Sequence, residues 1–306
     1  MASLSVLPHA GGNVMNKRKI YPTWLAMGAV IVFTVFFFLP GVMGLFYSFT
    51  NWNSMSDEVK FVGLKNIMKL FSGKYHFEQY IFNTMKFTVL TMVTKTVVGI
   101  LLALLLTSSL IKLRSVQRMI IFSPQVMSFL IVGLVFKSLL NPATGFVNNA
   151  LRDVGLGFLA QNWLSDAKLA LYSVIAVDTW KGVGYLMIIV IAGINGISES
   201  YYEAAKIDGA GFWQRTWSIT LPLLRPVIIN VSVLNLTYGL RVFDIIYSLT
   251  NGGPGHATEV INTAVYSEFS KGNYAMGTTL SSTLFIFVML ISYFLLKAME
   301  PKENAL

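Results

Sequence analysis

No cysteine occurs anywhere in the 306 residues. Disulfides and thiolate-held metals are therefore excluded, and no redox signal marks a compartment. Histidine is nearly as scarce. His9, His76 and His256 lie far apart in the sequence, and no His-Glu-x-x-His pair exists to hold a catalytic metal. No Gly-x-x-x-x-Gly-Lys-Ser/Thr loop is present, so the chain carries no phosphate cradle of its own. A Ser-His protease working within a membrane would need a histidine inside an apolar run, and there is none. Charged residues make up 12% of the chain, about half the roughly 25% usual in globular proteins. No internal repeat is visible, which sets the chain apart from the many secondary transporters built on one.

What the sequence does have is apolar length. It is 55% hydrophobic with a mean hydropathy of +0.63. Several runs exceed the roughly 18–20 residues that cross a bilayer as a helix. The pattern predicts an all-α membrane protein with about six spans, near 24–46, 82–110, 119–140, 169–194, 223–249 and 277–297. Polar residues interrupt the second. Lys17-Arg18-Lys19 ahead of the first run has the look of a signal peptide. The run is too long for one, however, and no small-residue cleavage site follows it cleanly. The reading is a retained span behind a tail of residues 1–20, a membrane domain over 21–300 and a second tail over 301–306.

Six spans put both termini on one side. If that side is the cytoplasm, the inner segments hold eleven lysines and arginines and the outer segments seven. Arginine alone divides more cleanly, five inside and one, Arg152, outside. This follows the positive-inside rule and accounts for much of the formal net charge of +9. No basic, aromatic-studded soluble module is present that would suit nucleic acid. The first outer loop, 47–80, mixes aromatic and polar residues and suits a small cap. Loop 141–168 is rich in turn residues, and Asn251-Gly252-Gly253-Pro254-Gly255 forces a tight turn.

Charges inside spans are costly and mark functional candidates by default. Asp178 and Lys181 lie three apart in the fourth predicted span, as do Arg241 and Asp244 in the fifth. At that spacing each pair shares a helix face and its members can neutralise each other. One reading is a pair of self-satisfied ion pairs that fix packing. The other is a polar path through the membrane, joined by Trp180, Tyr185, Asn235, Thr237 and Tyr238. Lys95 stands in the second span without a local partner and must face the bundle interior or water. Lys86 and Lys137, near span ends, can snorkel. Gly182, Gly184, Gly193 and Gly196 suit close helix packing.

One polar insert separates the fourth span from the fifth. Ser200-Tyr201-Tyr202-Glu203 fits a capping box, with Ser200 as cap. A short helix should follow to about Asp208 and stop at Gly209. Ala204 and Ala205 keep one face of it low enough for a partner's groove. Trp213 and Trp217 fall at helical spacing in a second segment that Pro222 ends or kinks. Taken alone, the insert is either an amphipathic connector on the membrane surface or a docking element.

The order Glu203-Ala204-Ala205, Asp208-Gly209-Ala210, then Ile219-Thr220-Leu221-Pro222 resembles the coupling loop of permease subunits in type I ATP-binding-cassette importers. It is most similar to the carbohydrate-uptake group, which includes the maltose and glycerol-3-phosphate permeases. Ile245 to Pro254, apolar-apolar-Tyr-x-Leu-Thr before Gly-Gly-Pro, resembles the same group. The resemblance implies docking of ATPases through Glu203, Ala204, Ala205, Asp208, Gly209, Ala210, Leu221 and Pro222 within a loop spanning 198–222. It also implies a second permease, two ATPase subunits carrying ATP and magnesium, and an extracytoplasmic solute-binding protein. No cofactor or metal is implied on this chain, and the expected location is a prokaryotic cell membrane. A sugar's hydroxyls and ring faces would suit a path lined by Asp178, Trp180, Tyr185, Asn235, Tyr238, Arg241 and Asp244. A self-sufficient transporter or channel using Asp178 or Asp244 is the alternative.

Overall fold

The computed structural model describes residues 24–73, 75–108 and 112–299. The two expected tails, with Lys17, Arg18, Lys19 and Lys302, lie outside the described residues, as does Lys74. The described chain is almost wholly helical. In order come α1 (Trp24–Phe33), α2 (Leu39–Tyr47), α3 (Lys65–Leu70), α4 (Phe77–Thr107), α5 (Arg114–Val126), α6 (Phe129–Leu139), α7 (Phe146–Asp153) and α8 (Ala170–Asn195). There follow α9 (Glu199–Ile207), α10 (Phe212–Arg215), α11 (Leu221–Leu223), α12 (Arg225–Leu240), α13 (Asp244–Leu249), α14 (Ile261–Ser270) and α15 (Tyr274–Met299). Four helical runs are long and apolar enough to cross a membrane, and six if two bent pairs each count as one.

Residues up to Met43 form one unit and those from Gly44 onward another. In the first, α1 runs into a π turn, Thr34–Phe38, and then into α2. Its large apolar side chains are exposed, Phe36 and Phe37 more than two-thirds so, as befits a helix solvated by lipid or by another chain. Pro40 explains the π turn. A proline ring clashes with the carbonyl four residues back, here Phe36, and the wider turn carries that carbonyl aside. The same offset recurs at the π turn Thr216–Thr220 ahead of Pro222.

In the second unit α4 and α8 pack along much of their length, with α12 against α4 and α5 against α8. Small residues bring these backbones together, as membrane packing requires. A Cβ on Gly239 would lie 2.8 Å from Thr88 Cα, and one on Gly184 would strike the Ile121 carbonyl and sit 2.8 Å from Phe122 Cα. Gly193 admits Leu224 and Val227. Gly182 makes room for Lys95 rather than for a backbone, and Gly196 caps α8 without packing on anything. Three of the polar residues that interrupt the second span are satisfied within it: Thr84, Thr88 and Thr91 each donate to the carbonyl four residues back at 2.6–2.7 Å.

Two expected spans are not single helices. The one expected over 119–140 is α5 and α6, meeting at 99°. Met127 and Ser128 are extended there, and Ser128 caps α6 by accepting from the Leu130 amide. The polar run Ser123-Pro124-Gln125 just before the break is what hydropathy alone averages away. The span expected over 223–249 begins earlier, bends by 66° at Leu224 and ends at Leu240. Arg241 to Phe243 then leave helical geometry before α13 starts. That short helix packs on α6, where Gly133 lies close against Ser248. At the far end of the bundle, Asn66 donates to the Ser48 and Thr50 carbonyls and Trp52 packs on Tyr274. Residues 47–71 thus fold into a small cap at this end.

Gly184 tests the packing. Gly184→Leu should lower stability by about 1–3 kcal/mol, the usual cost of overpacking, whereas Gly184→Ala should cost less. Thermal unfolding of the purified protein in detergent reads both.

Candidate functional site

A polar cluster lies in the interior of the second unit. Lys95 on α4 and Asp178 on α8 meet at 2.6 Å with side chains 5% and 2% exposed. Tyr238 on α12 donates its hydroxyl to the other carboxylate oxygen of Asp178 at 2.8 Å. The Lys95 ammonium also lies 4.5 Å from the centre of the Tyr238 ring. Three helices therefore converge on one carboxylate. Lys181, one turn along α8 from Asp178, donates to the Gln125 carbonyl at 3.1 Å and sits 4.1 Å over the Phe129 ring. The break between α5 and α6 is what brings that carbonyl and that ring to it.

These residues wall a cavity of about 210 Å³ between α4, α6, α8 and α12, which Gln125, Tyr185 and Asn235 also line. Asn235 is 5% exposed, and its amide nitrogen has no hydrogen-bond partner among the described residues. A second cavity, about 450 Å³, opens on the other side of Lys181 and is lined by Ser128, Asp244 and Tyr247.

Of the residues expected along a polar path, Asp178, Tyr185, Asn235 and Tyr238 come together. Trp180 turns away and packs edge-on against Phe136 at 5.0 Å. Asp244 lines only the second cavity and Arg241 neither. Both expected ion pairs are corrected. Asp178 pairs with Lys95 rather than Lys181, because α4 approaches the α8 face more directly than α8 can fold back on itself. Arg241 and Asp244 form no salt bridge, since the helix that would have stacked them is broken between them. Lys95, which lacked a local partner in sequence, has a tertiary one. Gln125 and Phe129 were missed because they lie in a segment read as continuous apolar helix. Lys86 reaches the ring of Tyr172 at 4.0 Å, and Lys137 is exposed.

The segment between α8 and α12 is a second candidate. The helix α9 starts two residues earlier than the capping box requires. Ser198 takes the cap position, its hydroxyl meets that of Ser200 at 2.8 Å, and no side chain caps the backbone. Its far end is as expected. Gly209 adopts φ +75°, the Ala210 amide donates to the Ala205 carbonyl at 2.8 Å, and the Gly209 amide to Lys206 at 3.1 Å. This paired closure is the usual glycine stop of a helix. Glu203, Ala204, Asp208 and Gly209 are exposed, Ala205 is buried and Ala210 half-buried. Tyr202 contacts the Thr220 hydroxyl at 3.1 Å, tying α9 to the returning strand of chain, where Leu221 is half-buried and Pro222 exposed. Among the described residues no group of three or more His, Asp or Glu side chains could hold a metal ion.

Removing one partner of a buried ion pair costs about 3–5 kcal/mol, while replacing both by apolar groups is often neutral. Lys95→Met should therefore destabilise strongly, and Lys95→Met with Asp178→Leu should recover most of the loss. Denaturant titration of the two variants measures the difference.

Comparison with known proteins places this geometry. Residues 95–303 match the family model for the binding-protein-dependent transport system inner membrane component. The trehalose/maltose transport system permease protein MalF of Thermococcus litoralis is 35% identical over 87% of this chain and 89% of its own length. A solved chain of a bacterial ABC transporter that imports the acidic polysaccharide alginate superposes with a TM-score of 0.80 at 27% identity, over 92% of this chain and 97% of that one. A second structure, of a bacterial alginate ABC transporter in complex with an alginate pentasaccharide-bound periplasmic protein, gives 0.78 at 27%, over 89% and 93%. An all-helical membrane chain with its polar residues gathered between bent spans thus belongs to the family of binding-protein-dependent transport system inner membrane components, where it is similar to sugar-transport permeases of ABC importers.

Proposed function

We propose that this chain is the permease subunit of an ATP-driven, binding-protein-dependent importer for a sugar or oligosaccharide. It frames half of the translocation path and is coupled to its energy source through the Glu203–Pro222 loop. The observation that carries the reading is the exposed, glycine-stopped helix α9 standing between two spans that both wall the polar cavity. A docking element needs its recognition face free, and Glu203, Ala204 and Asp208 are exposed. The sugar assignment rests on relatives that carry trehalose, maltose and alginate.

Two ATPase subunits, holding ATP and magnesium, would receive α9. A second homologous permease would complete the path, and an extracytoplasmic solute-binding protein would deliver substrate to the end capped by residues 47–71. The α9 end then faces the cytoplasm, with both termini, in a prokaryotic cell membrane. ATP binding would close the ATPase pair, shift α9 and its counterpart, and turn the spans between outward-facing and inward-facing states. Within the cavity, Asp178, Tyr185, Asn235 and Tyr238 are the residues proposed to meet substrate. Trp180, Arg241 and Asp244 would act, if at all, outside it.

A self-sufficient transporter would need an intramembrane carboxylate free to take a proton or cation. Asp178 is engaged on both oxygens by Lys95 and Tyr238, and Asp244 is exposed at a helix break. The engagement of Asp178 weighs against that alternative.

Tagged protein drawn from native membranes in mild detergent should bring down an ATPase and a second permease. Glu203→Ala should lose the ATPase while keeping the second permease and normal membrane insertion, because the side chain is exposed and supports no fold contact. Recovery of a solitary protein, or indifference to Glu203→Ala, would overturn the reading.

A further inference from the structure

The polar groups around the 210 Å³ cavity are unequally committed. Both carboxylate oxygens of Asp178 are taken, one by the Tyr238 hydroxyl in a hydrogen bond and one by the Lys95 ammonium in an ion pair without hydrogen-bond geometry. The donors are not. Lys181 has three N–H bonds and directs one at the Gln125 carbonyl. Asn235 leaves its amide nitrogen without an acceptor. Two ammonium groups and one carboxylate line the cavity, so one positive charge is left over. Lys181 is 3% exposed, and among the described residues no carboxylate lies within ion-pair distance of it. Asp244 shares the neighbouring cavity with it but forms no such pair. The Phe129 ring and one carbonyl stabilise the cation only in part, since a buried charge costs several kcal/mol unless it is paired. A site with spare donors and a spare positive charge is complementary to a ligand with spare acceptors and a negative charge.

We infer that the cavity selects an anionic sugar, one bearing a carboxylate or another acidic substituent, with Lys181 as the residue that sets the preference and Asn235 as its neutral helper. This rests on the reading of the cavity as part of the translocation path. Lys95 is not the selector, because Asp178 already neutralises it. The small volume suits one acidic sugar residue at a time rather than an extended chain.

The experiment compares galacturonic acid with its methyl ester, which share ring and hydroxyls and differ in charge. Binding to the assembled importer, purified in detergent without its solute-binding protein, is followed by saturation-transfer NMR at pH 7.5. The acid should bind about ten- to a hundredfold more tightly than the ester, the range a charge-assisted hydrogen bond supplies. Lys181→Gln should bring the acid down to the ester's affinity, and Lys181→Arg should keep the preference. Equal binding of acid and ester by the wild type would overturn the charge selection. It would point instead to a carboxylate of the second permease as the resting partner of Lys181, and loss of both ligands in Asn235→Leu would then show that the cavity still takes sugar. Binding of neither ligand by the wild type would overturn the path reading and the inference together.

Discussion

The Lys95–Asp178 ion pair is the constraint around which the second unit is organised. Two charges nearly removed from solvent are tolerable only when their geometry is good and their remaining valences are met. That requirement fixes the rotation of α4 against α8, since each charge must point at the other. It also fixes α12, whose Tyr238 supplies both a hydrogen bond to the carboxylate and a ring face to the ammonium. Gly182 belongs to the same solution: a side chain there would collide with the end of Lys95, a Cβ lying 2.9 Å from its Cε. Between helices that have little hydrophobic reason to prefer one another over lipid, such a pair defines which faces meet.

The breaks in the helices are as purposeful as the pairs. Non-helical backbone at membrane depth is tolerated where it is buried in protein or lines a cavity. The turn between α5 and α6 meets this condition, because Gln125, beside it, gives its carbonyl to Lys181. At the loss of helix over Arg241–Phe243 a side chain meets the freed backbone instead: Asn262 donates to the Arg241 carbonyl at 2.8 Å. Prolines shape the remaining irregularities, and the π turns ahead of Pro40 and Pro222 show the backbone widening to pass a ring without ending the helix.

Much of this was legible in the sequence, for reasons that differ by element. Long apolar runs announced α4, α8 and α15 because lipid imposes a length and a composition that few other environments do. The glycine stop of α9 was legible because only a left-handed turn satisfies the last carbonyls of that helix, and Gly209 adopts it at little cost. Asp178, Tyr185, Asn235 and Tyr238 stood out as polar groups in apolar runs, and they converge. What was not legible is tertiary. Spacing can propose that Asp178 meets Lys181 on its own helix, but it cannot see Lys95 arriving from another. The bend at Met127–Ser128 was hidden because its flanks are apolar enough to read as one span. The cap of α9 shifted from Ser200 to Ser198 because the backbone turns outward two residues sooner than the local motif suggests.

The two candidate sites are joined by rigid levers of nearly equal length. From Lys181 to the end of α8 at Asn195 is fourteen residues, about 21 Å at the rise of an α-helix. From Leu224, where the chain bends into α12, to Tyr238 is again fourteen residues and about 21 Å. The ends of the two helices nearest α9 are locked together, since fully buried Leu224 packs into the space left by Gly193. Tyr202 and Thr220 hold α9 against the returning segment at the same end. A displacement of α9 would be passed to both α8 and α12, whose residues wall the cavity. Lys181 and Tyr238 would move with it. The Tyr238–Asp178 hydrogen bond bridges these two walls, since it joins α12 to α8 beside the cavity.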